Sequence, residues 1–164
     1  MKLLHLEVEG ALLFKDDTLS IDLIATDRVV RERDSETVSD VTKVGEDGSV
    51  YTLNVVGVTG VNASGKTTLL NFLRFVLHQL SGNYEMREFA RPQRRLGKIG
   101  KDATVRAIFW HEKRYYLLES KLARSFSEKA FVSFDAEEVF SFIDETIWVL
   151  STQRPRRSYL LDSK

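Results

Sequence analysis

Near the start of the chain Leu4, Leu6 and Val8 alternate with His5, Glu7 and Glu9, and a little later Leu19, Ile21 and Leu23 alternate with Ser20 and Asp22. A period of two marks strands with one buried face. Gly10 and the polar Lys15-Asp16-Asp17-Thr18 lie between them, which predicts an antiparallel hairpin or meander. The polar stretch from Thr26 to Ser49 reads as a surface excursion with turn signals at Asp34-Ser35-Glu36 and Gly45-Glu46-Asp47-Gly48. Leu53-Asn54-Val55-Val56-Gly57-Val58 is nearly continuous in β-branched residues, the composition of a strand covered on both faces, as in a parallel sheet. Leu69, Leu70, Phe72, Leu73, Val76, Leu77 and Leu80 then recur at three and four residues. They cover most of a helical circumference and predict a buried helix, stopped by Ser81-Gly82-Asn83.

Ala103 to Trp110 and Arg114 to Glu119 read as a second hairpin turning at His111-Glu112-Lys113. Asp135-Ala136-Glu137-Glu138 has capping-box spacing, and Val139, Phe140, Ile143 and Ile147 follow a helical face, so an amphipathic helix is expected there. Ile147-Trp148-Val149-Leu150 could form a last short strand.

Composition narrows the class. The 164 residues hold 24 Lys plus Arg, 24 Asp plus Glu, three His, two Pro and no Cys, and 43% are apolar. One globular domain with neither a disulfide framework nor a thiolate metal site is expected. No apolar run approaches the roughly 20 residues of a membrane span, and the first residues are too acidic for a signal peptide, so a cytoplasmic protein is the default. Zero net charge argues against a uniformly basic nucleic-acid binder but allows local patches, at Arg91 to Lys101 and at Arg154, Arg156 and Arg157.

Gly60-Val61-Asn62-Ala63-Ser64-Gly65-Lys66-Thr67 matches G-x-x-x-x-G-K-[ST] at every fixed position, between an expected strand and an expected helix. Glycines let successive backbone N–H groups converge on a phosphate, and the helix that follows adds its N-terminal partial charge. The motif assigns Lys66 to the β- and γ-phosphates, the Thr67 hydroxyl to a magnesium ion, and Thr68 to the α-phosphate. Gly60, Asn62, Ala63, Ser64 and Gly65 would form the rest of the cradle.

With the run Gly-x-Asn-Ala-Ser-Gly-Lys-Thr-Thr-Leu-Leu, the loop resembles that of ABC-type ATPases. It is most similar to the soluble AAA group related to the heads of chromosome-maintenance and recombination-repair ATPases. A short strand ending in glycine, an aromatic at Phe14 and a second strand extend the likeness toward the N-terminus, whereas Ala11 stands where an aromatic is common. The resemblance implies an α/β fold: a P-loop NTPase lobe with an N-terminal antiparallel hairpin, a buried strand leading into the phosphate-loop helix, and a further hairpin. Residues 1–164 would then be the N-terminal part of a longer ATPase head that binds ATP and Mg2+. Hydrolysis would need a second acidic strand and a signature segment from a partner, in a head-to-head dimer or larger assembly.

Phe140-Ser141-Phe142-Ile143-Asp144-Glu145 is the one string that looks like such an acidic strand, with Asp144 near magnesium and Glu145 as base. Its helical spacing favours an amphipathic helix instead. Leu80-Ser81-Gly82 mimics the start of a signature but reads as a helix stop. Gln153 could couple nucleotide state to a helical subdomain, though a polar loop residue is the plainer reading. Tyr51 could stack on adenine, with a strand tyrosine as the default. His5 and His111 read as exposed, and His78 as a helix-surface residue.

The basic loop Arg91 to Lys101 could neutralise nucleic-acid phosphates. A non-hydrolysing nucleotide-sensing or nucleic-acid-docking module is therefore the alternative function. A small GTPase is disfavoured because no Asn-Lys-x-Asp string occurs, and a nucleotide kinase because the loop lies far from the N-terminus.

Overall fold

The computed structural model describes residues 1–25, 40–45, 50–62, 64–82, 99–126 and 138–150. It is a mixed α/β structure, mostly antiparallel strands with one α-helix among the described residues. β1 (Lys2–Ala11) and β2 (Thr18–Asp22) form the expected antiparallel pair, and β5 (Ile99–His111) and β6 (Arg114–Phe126) the expected second hairpin. With β7 (Glu138–Leu150) they make a five-stranded sheet of order β2-β1-β5-β6-β7, antiparallel at every step. β3 (Val41–Val44) and β4 (Val50–Leu53) form a separate antiparallel pair. The β5–β6 turn has φ of 45° at Glu112 and 67° at Lys113, so two left-handed residues match its twist to that of the strands.

α1 (Lys66–Leu80) lies on one face of the sheet. Its Phe72, Phe75 and Val76 join Leu6 and Val8 of β1, Val105, Ala107 and Phe109 of β5, and Leu118 and Leu122 of β6 in the main core. Only one face of the helix is buried: Leu70 is 52% and Leu77 46% exposed. The expectation of a helix buried over most of its circumference is corrected, because the sheet is its only partner layer among the described residues. Ser81 and Gly82 end it, with their N–H groups donating to Leu77 and Gln79 carbonyls at 3.0 and 3.2 Å.

The opposite face of the sheet is divided. At one end Leu4, Ile108 and Tyr115 pack with Ile24 and with Val44 and Val50 of the β3–β4 pair in a second core. Leu3 belongs to the helix-side core and Leu4 to this one, and a register shift between Leu3 and His5 brings Leu6 back to the helix side. His5 is half-buried rather than exposed, and burial, opposed by Asp22 and Glu7, lowers its imidazole pKa. Farther along this face Arg106 binds Glu9 at 2.6 Å, Glu7 at 3.0 Å and Glu119 at 2.7 Å, tying β1, β5 and β6 together. The bond to Glu9, opposed by desolvation and reinforced by Glu119 and Glu7, raises the guanidinium pKa.

Two further expectations fail. The run Leu53–Val58 is not a buried parallel strand: β4 ends at Leu53, residues 54–60 have no regular structure, and Val55 is 77% exposed. A strand covered on both faces needs two covering layers and flanking strands, and no described strand runs parallel to a neighbour. Residues 138–150 are not an amphipathic helix either, but β7, paired along its length with β6. The capping-box residues 135–137 lie outside the described residues, as do most of Thr26 to Ser49, Arg91 to Lys98, and Gln153, Arg154, Arg156 and Arg157.

The one-sided burial of α1 gives a direct test. Phe72→Ala should cost about 3–5 kcal/mol in urea unfolding, as large-to-small core changes do. Leu70→Ala, on the exposed side, should cost less than about 1 kcal/mol.

Candidate nucleotide-binding site

β1 ends in a tight turn in which the Phe14 N–H donates to the Ala11 carbonyl at 3.0 Å. The turn brings Phe14 beneath the start of α1. Gly65 caps the helix with φ of 88°, and a Cβ built on it would lie 3.0 Å from the Phe14 ring. Glycine is therefore required twice over, for its left-handed conformation and for the close approach of the ring. At Gly60 a Cβ would lie 2.8 Å from the Ser64 hydroxyl, so the second glycine lets the loop fold back on itself. The Ser64 N–H donates to the Val61 carbonyl at 3.3 Å, closing that turn.

Lys66 spans the loop, its ammonium donating to the Gly60 carbonyl at 2.7 Å and the Val61 carbonyl at 2.6 Å. A pocket of about 400 Å³ opens here, lined by Leu13, Asn62, Ser64, Gly65, Lys66, Thr67 and Thr68. Gly60 reaches it through its contacts with Ser64 and Lys66. Thr67 is exposed and Thr68 buried, and Ala63 lies outside the described residues. The first turn of α1 carries no acidic residue and its cap makes no side-chain hydrogen bond. The leading N–H groups of a helix have no carbonyl a turn earlier to receive them, and among the described pocket residues their partial positive charge meets no carboxylate.

The surroundings suit an oxyanion: backbone donors, one ammonium, three hydroxyls and, among the described residues, no acid in the lining. They suit a divalent cation only in part. The Thr67 hydroxyl is a fitting ligand, but such ions ordinarily also take carboxylate or phosphate oxygens. No group of three His, Asp or Glu among the described residues could hold a metal.

Asp144 and Glu145 stand elsewhere. Asp144 lies 3.7 Å from Lys121, and the Glu145 carboxylate accepts from the Gln79 amide at 2.9 Å. Gln79 is thirteen residues along α1 from Lys66, about 20 Å at the rise of an α-helix. Neither acid is among the described residues that line the pocket. Tyr51 sits in β4, outside the pocket lining, and its carbonyl accepts from Ala25 at 2.8 Å. The residues that sequence reasoning missed are Leu13, which lines the pocket, and Phe14 as the support of Gly65. The signal for them was the aromatic after β1, but its target becomes visible only when β1 and α1 are brought together.

Gly65→Ala should lower stability by about 1–3 kcal/mol in thermal or urea unfolding, through left-handed strain and displacement of Phe14. Compared with protein-family models, curated proteins and solved structures, the chain gives no match. Among the described residues no helix is long and apolar enough to cross a membrane.

Proposed function

We propose that the loop Gly60–Thr67 binds the phosphates of a nucleotide, and that the chain is the ATP-binding lobe of a P-loop ATPase resembling the ABC and chromosome-maintenance heads. One observation carries the reading: the Lys66 ammonium is held across the loop, at the N-terminus of α1, beside a pocket that no carboxylate lines among the described residues. A polyphosphate entering there would accept from the helix N–H groups and from Lys66, whose loop carbonyls orient it without neutralising its charge. The Ser64 and Thr68 hydroxyls flank the phosphate position, and Thr67 is free to ligate a magnesium ion that arrives with the nucleotide. The choice of ATP over GTP rests on the family resemblance and on the missing guanine-reading string.

The lobe binds and positions. Activating water requires a carboxylate close to the terminal phosphate. Among the described residues none lines the pocket. Hydrolysis would thus depend on acids supplied from outside this constellation, by a second head or by further chain, as the resemblance implies.

In calorimetry with Mg-ATP, Lys66→Ala should weaken binding about 10- to 100-fold, the loss of one charge-assisted contact to phosphate. Undiminished binding would remove the basis of the proposal. The wild-type chain alone should bind Mg-ATP without sustained phosphate release. Steady turnover abolished by Glu145→Gln would instead show that β7 reaches the phosphates after all.

A further inference from the structure

β7 is the outermost strand of the five-stranded sheet, and its described pairing is with β6. Among the described residues no strand covers this edge, and proteins usually blunt such edges with charge, Pro, bulges or brevity. β7 has no Lys, Arg or Pro, and its acids and the extra residue Ile143 all precede Thr146, which leaves Thr146–Leu150 without any of these devices. Its exposed apolar side chains also emerge on both faces. Ile147 and Val149 stand opposite Leu118 and Tyr116 on the helix side, while Trp148 stands opposite Leu117 on the other. They are 54%, 54% and 43% exposed. A partner lying flat on the sheet would cover one face. Only a strand added in the plane of the sheet covers both and also meets the backbone groups of the edge.

The charge of the edge selects among strands. Of the three acids of β7, Asp144 is directed to Lys121 at 3.7 Å and Glu145 to Gln79 at 2.9 Å, while Glu138 stands at the far end of the strand from Ile147. The stretch Thr146–Leu150 carries no charge and favours neither a basic nor an acidic strand. β7 itself meets that requirement. In an antiparallel self-pairing centred on Ile147, Glu145 faces Val149, Thr146 faces Trp148 and Asp144 faces Leu150, so no carboxylate opposes a carboxylate.

We infer that β7 is a self-association edge, through which two copies of the chain join into one continuous antiparallel sheet about a two-fold axis near Ile147. This pairing needs no nucleotide and leaves the phosphate loop untouched, so it stands or falls separately from ATP binding. Analytical ultracentrifugation of the full chain without nucleotide, from low to high micromolar, should show a species of twice 18.8 kDa. Ile147→Lys should weaken dimerisation about tenfold or more while leaving circular dichroism and Mg-ATP binding unchanged. Leu70→Lys, on the exposed side of α1, should leave the dimer intact. Because the chain has no cysteine, Ile147→Cys should form a disulfide-linked dimer under mild oxidation, and Leu70→Cys should not.

A chain that stays monomeric throughout overturns the inference and leaves the edge to a strand of another protein. A dimer indifferent to Ile147→Lys, or an open ladder of higher oligomers, overturns it as well.

Discussion

The packing of α1 across the sheet is the constraint on which the rest of the structure depends. Phe72, Phe75 and Val76 bury against strands β1, β5 and β6, and Phe75 stacks on Phe142 of β7 with ring centroids 5.9 Å apart. At the other end of the helix, Gly65 rests on Phe14. The phosphate loop has no buried strand behind it, so its position is set by these two contacts: the helix fixes the direction of the backbone donors and the Phe14 ring fixes their height. Apolar burial supplies most of the stabilisation of such a layer pair, since every described strand–strand bond exchanges with water at small net gain.

The elements that were legible in the sequence are those whose pattern is local and unbroken. β1, β2, the β5–β6 hairpin and α1 each repeat their own period over enough residues to be read. β7 was misread for an identifiable reason. Lys121 pairs with Asp144 but Leu122 with Phe142, so Ile143 is an extra residue in the ladder. Such a bulge shifts the two-residue alternation by one, and Phe140, Ile143 and Ile147 then fall at the three- and four-residue spacing of a helix. The valines at 55, 56 and 58 misled in the opposite way. β-propensity expresses fit to a covered, paired surface, and with no neighbouring strand Val55 remains in solvent.

The site divides along the same line. The phosphate loop was legible because its residues are consecutive and each answers a local demand of backbone geometry. Leu13 and Phe14 were legible only as an apolar pair after a strand, since Gly65, which the Phe14 ring supports, lies far along the chain. Asp144-Glu145 admits a catalytic reading for the converse reason: adjacent acids after apolar residues resemble a magnesium-binding strand end wherever they occur. Their position is decided by the length of α1, which separates Gln79 from Lys66 by about four turns.

That separation distributes the chemistry over the molecule. The N-terminus of α1 carries uncompensated positive partial charge and an ammonium, whereas the C-terminal half is tied by Gln79 to Ser120 and Glu145 of β6 and β7. An amide that donates to a hydroxyl and a carboxylate inside an otherwise apolar layer fixes the helix in register as well as in depth, because a slip of one residue would leave Gln79 and Ser120 buried without each other. The Gln79 carbonyl oxygen already lacks a protein partner, so losing the donor bonds as well would leave the whole amide unsatisfied. The helix is therefore held by polar specificity at the sheet edge and by an aromatic contact at the loop. An anion drawn to the loop meets donors whose placement has been settled at the opposite end of the same element.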